Sequence, residues 1–340
     1  MYGKYKSGYP LPCLSEEISF SAVLPADRVG EARSSLSSTK ERVRLAYDTM
    51  GRRRWRSRIE LPKPDWAYHV PRPRVASRAY YKLWEILHVN SVLSPPLTHT
   101  SNRTLHLCEA PGGFVECVVD VFGGTVDYFA TSLTRPLDGA VATFSPSVSE
   151  ERILKSGVRT APSSSPSSSI KERDRGWSED DLRDADVRTY VVDAVGGRSS
   201  CWLVTGDGAE VDDHAFAEEQ TLDLVRAQLD VALRVLCPGG VLVLKAFECL
   251  TPDTLAVVET MCRHFEEVVV HKPYYSRPTN SERYLVGLRR TLAPEESEAT
   301  PEWRRSVASI MSGLARDQVK CLKDALLGRR PSYGRAGDVI

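Results

Sequence analysis

Apolar positions change their period several times along the chain, and each change marks an element. The first stretch shows one amphipathic segment, near "STKERVRLAYDTM". From "SRAYYKLWEIL" onward Tyr80, Leu83, Trp84 and Leu87 recur at the spacing of one helical face. "RTLHLCEAPGGF" reads as a short strand ending in a glycine turn, and "VECVVDVFG" as the helix after it. "VDYFATSL", "VRTYVVDA" and "CWLVTGDG" supply a second, third and fourth strand. In "TLDLVRAQLDVALRVLCPGG", Leu222, Val225, Leu229, Ala232 and Leu236 keep one helical face, and the glycine pair behind Pro238 stops it. "VLVLKAF" is an almost continuous apolar run, as expected of a parallel strand covered on both faces. "HFEEVVVHKP" and "RYLVGLRR" complete the strands, and Trp303, Val307, Ile310 and Leu314 mark a C-terminal helix.

Strands alternating with helices predict an α/β fold with a doubly wound sheet of about seven strands. The last two strands are joined by fewer residues than the crossover of about a dozen that a parallel pair needs. They must pair antiparallel, which puts a reversed last strand into an otherwise parallel, Rossmann-like sheet, the arrangement of class I methyltransferases. Around it the chain divides into a basic Ser/Arg/Pro-rich extension (residues 1–70), a central α/β domain (71–290) and a C-terminal helical extension (291–340). A segment near 140–186 carries "APSSSPSSS", too polar to supply a packed core, and reads as an exposed insertion.

Composition adds little until charge is followed along the chain. Lys plus Arg equals Asp plus Glu, at 45 each, and hydrophobic residues make up 41% of the 340. Yet "GRRRWRSR" alone holds Arg52, Arg53, Arg54, Arg56 and Arg58, with Arg72, Arg74 and Arg78 soon after. That concentration suits a polyanion, although a nuclear-localisation tag or a merely solvated basic run has the same composition. The cysteines form no CxxC pair and no His cluster joins them, so neither a metal site nor a disulfide framework is expected. No apolar run is long enough to cross a bilayer, and the first residues have no apolar signal core; a soluble, intracellular protein is expected.

The candidate chemistry lies at strand ends, where open α/β sheets bind ligands. "EAPGGF" spans Glu109, Ala110, Pro111, Gly112, Gly113 and Phe114. Its glycines would let a ligand approach the backbone, and the turn lacks the GxGxxG pattern that cradles a pyrophosphate. Asp193, ending "YVVDA", could accept a hydrogen bond from an adenine amino group, or could be a helix cap or a loop acid. Lys82, Asp207, Lys245 and Glu282 each have an ordinary reading as solvated, turn or capping residues, but together they converge on the sheet edge beside the glycine turn.

"SRAYYKL", "EAPGGF", "TGDG", "LVLKAF" and "SERYLV" resemble the motifs of the FtsJ-type ribose 2′-O-methyltransferases, over roughly residues 74–290. The resemblance implies S-adenosylmethionine as methyl donor and a Lys-Asp-Lys-Glu catalytic tetrad at Lys82, Asp207, Lys245 and Glu282. "TGDG" stands where bacterial ribosomal RNA members have "SDMAP". "KAFECLTPDT" and "KPYYSRPTNSERYLV" are more similar to the Adrift-type cap-specific enzymes of eukaryotes and some of their viruses. This implies the capped 5′ end of mRNA as substrate, with Arg277 and the run Arg52, Arg53 and Arg54 as RNA contacts. It also implies a capping-machinery protein as a further partner, and a nuclear location, or a cytoplasmic one for a viral chain. Within the tetrad, Lys82 is expected to lower the pKa of Lys245 while Asp207 and Glu282 counter it. A ribosomal or transfer RNA 2′-O-methyltransferase and a non-catalytic RNA-binding subunit are the alternatives.

Overall fold

A computed structural model describes residues 8–12, 26–94, 102–124, 126–133, 143–160, 178–209, 217–293 and 299–331. In chain order they form β1 (Gly8–Pro10), α1 (Ala26–Met50), α2 (Arg52–Ile59), α3 (Ala79–Val89), β2 (Arg103–Leu107), α4 (Gly113–Phe122) and β3 (Asp127–Ala130). A small pair follows, β4 (Arg159–Thr160) with β5 (Ser178–Glu179), and then α5 (Ala185–Ala194), β6 (Cys201–Gly206) and α6 (Ala217–Val235). The chain continues through β7 (Leu236–Ala246), α7 (Pro252–His264), β8 (Phe265–His271), β9 (Arg283–Arg290) and α8 (Pro301–Leu326).

Seven strands make one mixed sheet in the order β1-β8-β9-β7-β6-β2-β3. β3, β2, β6 and β7 run parallel, and β9 lies antiparallel between β7 and β8, as the short connection over 272–282 requires. β2 has β3 on one side and β6 on the other. The strand order therefore reverses there, and a crevice opens outside the carboxyl ends of these strands.

One expected strand is a helix. "VRTYVVDA" forms most of α5, whose buried Val187 and Val191, with Val195 at its C-cap, recur every four residues. Asp184 caps it by accepting a hydrogen bond from the Asp186 N–H at 2.8 Å. The β-branched content suggests a strand, but the four-residue spacing buries the valines only in a helix. The seventh strand is instead β1, paired antiparallel with β8.

The flanking segments pack closely on the sheet. Leu36 of α1 and Trp303, Val307 and Met311 of α8 belong to the main core. Trp55 and Ile59 of α2 bury against Ala325, and Arg58 donates to the Ala325 carbonyl at 3.2 Å, meeting orphan acceptors at the end of α8. "APSSSPSSS" lies outside the described residues. The segment before it packs on the sheet edge, with Val148 and Ile153 against Val115 and Ala130. Six of the described cysteines are buried and Cys108 partly so; Cys13 lies outside the described residues.

Candidate active site

Register alone assembles three of the four expected polar residues. Gly206 pairs with Leu244, so Asp207 emerges beside Lys245. Lys245 pairs with Tyr284, and Ala246 with Arg283, so Glu282 precedes β9 at the same level. Lys82 arrives from α3, which packs over this face of the sheet through Tyr80, Leu83, Ile86 and Leu87.

The four side chains form one ion-pair cluster. Lys82 Nζ stands 2.7 Å from Glu282 Oε1, while Lys245 Nζ lies 3.4 Å from both Glu282 Oε2 and Asp207 Oδ1. The Tyr284 hydroxyl donates to Asp207 Oδ1 at 2.7 Å. Two ammonium groups thus face two carboxylates at 10–19% side-chain exposure. Buried charges are tolerated in such a setting because each has a partner.

The charge balance corrects one expectation. Burial by itself lowers the pKa of Lys245, but Asp207 and Glu282 more than offset it, and the net shift is upward. Glu282 moves the other way: burial raises its pKa, and Lys82 and Lys245 pull it below the ordinary carboxylate range. Each lysine in the resting cluster is closer to a carboxylate than a general base would want. Lys245 is an ammonium at neutral pH.

The loop carrying Glu282 is held from three sides. Lys272, buried at its base, donates to Ser276 Oγ, to both side-chain and backbone oxygens of Asn280, and to the Glu282 carbonyl at 2.8 Å. Glu85, three residues beyond Lys82 on α3, accepts from the Tyr274 N–H at 2.8 Å and lies 3.4 Å from His271 Nε2. Gln318 of α8 donates to Ser281 Oγ at 3.0 Å and to the Thr279 carbonyl at 3.2 Å. Behind Lys245, Lys40 of α1 pairs with Glu248, whose carbonyl accepts from buried Arg283 at 2.6 Å. Tyr284 could have been found in the sequence, since two residues from Glu282 along a strand is the same face. Nothing in the sequence pointed to Gln318, because its role depends on how α8 docks.

The glycine turn is built for close packing. Gly112 has a φ of 108°, and a Cβ there would meet Val148 Cγ2 at 2.4 Å. At Gly113 a Cβ would meet Ser77 Oγ at 2.4 Å and the Tyr80 N at 3.0 Å, so this glycine lets α4 approach the start of α3. The Glu109 carboxylate caps α4 by accepting from Phe114 N (2.6 Å) and Val115 N (3.0 Å). Phe114 is fully buried in the core beside Tyr284, while Pro111 is exposed and Ala110 partly so.

Next to this turn, beyond the end of β3, lies a cavity of about 560 Å³ lined by Ser132, Leu133, Phe144, Ile153, Glu179 and Asp180, among others. Apolar Leu133, Phe144, Val148 and Ile153 share its walls with Ser, Thr, Glu, Asp and Lys side chains, and its size suits an adenosine-sized ligand, within the usual range of about 300–1,000 Å³. Asp193 is not there. It sits exposed near the end of α5, which runs to the amino end of the sheet, where Arg103 at the start of β2 donates to the Val195 carbonyl. The adenine contact expected of Asp193 is therefore corrected by the helix that replaces the strand. Two other acids lie closer to the crevice. Asp180 is buried and accepts from Ser156 N, Ser156 Oγ and Gly157 N. Asp181, also buried, is held by Arg183. Burial, then the charges of Asp181 and Asp207, push the Cys108 thiol up to about 12, so Asp181 bears on the crevice that leads to the tetrad.

Arg53 and Arg54 are exposed on α2, and of Arg52 only the backbone is described. Arg277 is partly buried, with its Nη2 4.0 Å from Glu60. Among the described residues no helix is long and apolar enough to cross a membrane, and no group of three or more His, Cys, Asp or Glu could hold a metal.

Comparison with known proteins gives this geometry a family. Residues 75–290 match the family described as FtsJ-like methyltransferase. A cap-specific mRNA (nucleoside-2′-O-)-methyltransferase of Autographa californica nuclear polyhedrosis virus is 37% identical over 99 residues, 28% of this chain and 37% of the relative. Its namesake numbered 1 in Danio rerio is 35% identical over 100 residues, 29% of this chain and 12% of the relative. A probable methyltransferase of African swine fever virus is 25% identical over 245 residues, 69% of this chain and 54% of the relative. The matched stretches thus span about half or less of these relatives' own lengths. Among solved structures, a putative ribosomal RNA methyltransferase from Plasmodium falciparum aligns at 15% identity and a TM-score of 0.40, over 63% of this chain and 98% of that one. With nearly two thirds of its residues inside the family match, the chain belongs to the FtsJ-like methyltransferases.

Proposed function

We propose that the chain transfers a methyl group from S-adenosylmethionine to a ribose 2′-hydroxyl near the capped 5′ end of mRNA. The observation that carries this is the convergence of Lys82, Asp207, Lys245 and Glu282 at the carboxyl edge of the sheet, within one ion-pair cluster. The names of the viral and fish relatives support the cap as the address.

S-adenosylmethionine supplies an electrophilic methyl on a sulfonium whose departure leaves a neutral thioether. The reaction forms an O–C bond, breaks a C–S bond with its electron pair going to sulfur, and releases the hydroxyl proton. Lys245 orients the hydroxyl and takes that proton. It must first give up its own, and a third positive charge beside it, together with exclusion of water by the substrates, lowers its pKa toward that state. Asp207 and Glu282 hold Lys245 in place, and Tyr284 fixes Asp207. Lys82 stabilises the oxygen as it becomes electron-rich. The backbone from Glu109 to Phe114 borders the cofactor crevice, and Asp181 replaces Asp193 as the acid for its adenosine end. Arg277, with Arg52, Arg53 and Arg54, provides cations for the RNA backbone. The basic run suits a nuclear chain working beside the capping machinery.

Incubation with S-adenosylmethionine and a capped RNA of defined sequence, followed by mass mapping, tests this. A methyl on a 2′-oxygen beside the cap is expected. Equal modification of uncapped transcripts would remove the cap from the reading, and a base-linked methyl would sink it.

A further inference from the structure

Beside the tetrad runs a surface strip in which cations outnumber acids and an aromatic ring lies open to solvent. Arg277, five residues before Glu282 on the same loop, has its Nε shut off from water with no hydrogen-bond partner. Glu60, itself exposed, is 4.0 Å from its Nη2, the outer limit of an ion pair. Burial first, then the charges of Arg78 and Arg56, lower the pKa of Arg277 against the opposing charges of Glu60 and Glu282, so three guanidinium groups share two carboxylates, of which Glu282 is already paired with Lys82 and Lys245. Arg78 stands exposed at the start of α3, and Arg56 is exposed on α2. Such self-repulsion costs stability that a bound anion would return.

The aromatic part begins at the residue before Lys82. Tyr81 stacks on Tyr275 with ring centroids 4.5 Å apart, and Trp66 meets both edge-on at 6.3 and 5.8 Å. Two residues further, Tyr68 leaves 65% of its surface to solvent, with Lys63 Nζ 4.3 Å from the centre of its ring. The Tyr274 hydroxyl donates to the Pro62 carbonyl and ties this segment to the Glu282 loop. An acidic protein could use the arginines but has no need of the exposed ring. A duplex hides the base faces the ring would stack on. An unpaired strand offers both phosphates and base faces.

We propose that residues 56–68 of the N-terminal segment, with Arg78 and Arg277, form a track for single-stranded RNA flanking the methylated nucleotide, in which Arg56, Arg78 and Arg277 hold backbone phosphate and Tyr68 stacks an unpaired base. This rests on the RNA-ribose reading above. The track makes part of the N-terminal segment, outside the family match, a component of the substrate site.

Binding of a fluorescent ten-nucleotide single-stranded RNA to the full chain, across a salt series, tests it. Arg78→Gln and Arg277→Gln should each weaken binding and reduce the salt slope by about 0.7. Tyr68→Ala should weaken binding at least about fivefold with the slope unchanged, and Tyr68→Trp should restore it. Unchanged melting temperatures and S-adenosylmethionine affinity establish that the variants are folded. Wild-type affinity in Tyr68→Ala, or duplex RNA bound as tightly as single-stranded, would overturn the track. So would polyglutamate displacing the RNA at equal charge, which would make the strip an acidic-protein surface. Normal methylation of RNA with unaltered binding in all three variants sinks the track alone. Variant-sensitive RNA binding by a wild type that methylates no RNA sinks the functional reading and leaves the track standing.

Discussion

The two flanks of the strand-end crevice are built differently. On the β7–β9 flank, Asp207, Lys245 and Glu282 stand at strand ends whose register places them together, and each charge has a partner within 3.4 Å. On the β3 flank the polar groups come from turns and the approach to a helix, and Asp180 and Asp181 reach the crevice only because of how residues 143–160 and 178–186 fold back on the edge. A site written onto adjacent strands inherits their regularity. A site written onto connections depends on packing that no short sequence window encodes.

The largest effect that would break this contrast lies on the first flank. Lys245→Met should lower single-turnover methyl transfer by about 10²- to 10⁴-fold, the range for a lost proton acceptor, while calorimetry finds cofactor affinity within a few-fold of wild type. Near-normal turnover would place the proton elsewhere. A pH series sharpens the point. The raised pKa of Lys245 means its ion pairs are intact at neutral pH and are lost only as pH rises through that folded value. The depressed pKa of Glu282 means its contribution is lost only on acidification, below about 4.3 and through the folded value. Between these limits the cluster stays assembled, so kcat should climb by about tenfold per pH unit in mildly alkaline buffer, until Lys245 is free to accept a proton. A flat profile would argue that Lys245 only orients the hydroxyl.

On the other flank, Asp181→Asn should weaken S-adenosylmethionine binding by about tenfold, the worth of one hydrogen bond to a charged group. Asp193→Asn should leave that affinity within about twofold, as for an exposed position away from any contact. Equal effects of the two would restore the strand reading of this region. Gln318→Leu is a subtler probe, because it disturbs only a positioning contact. It should reduce kcat by about fivefold without changing RNA affinity, and Gln318→Asn should recover part of the loss. A loss in RNA affinity instead would assign α8 to binding.

Much of this was legible in the residues. The alternating pattern of strands and helices, the reversed last strand and the places of Asp207, Lys245 and Glu282 followed from apolar runs with polar residues at their ends, while Lys82, inside a helix, joined them through the resemblance to the FtsJ-type motifs. Failure came at "VRTYVVDA", where β-branched residues suit both a strand and a helix and only the burial of Val187, Val191 and Val195 on one face decides. Asp193 was misplaced with it. Trp55 is core packing against α8, whereas Tyr68 stays open to solvent.

What the sequence determined by itself was local and periodic: which segments could be strands, where they ended, and which charged residues stood at those ends. Tertiary structure decided everything that compares distant parts of the chain. Paired carboxylates raised the pKa of Lys245 although its neighbour Lys82 is a cation, because distance and burial set the balance of charges. Docking of α1 and α8 bound the Glu282 loop and the Lys245 strand end to segments far away in the chain. Backbone propensity acts over a few residues and can be read in order, whereas electrostatics and packing act through space, and their partners are known only once the chain has folded.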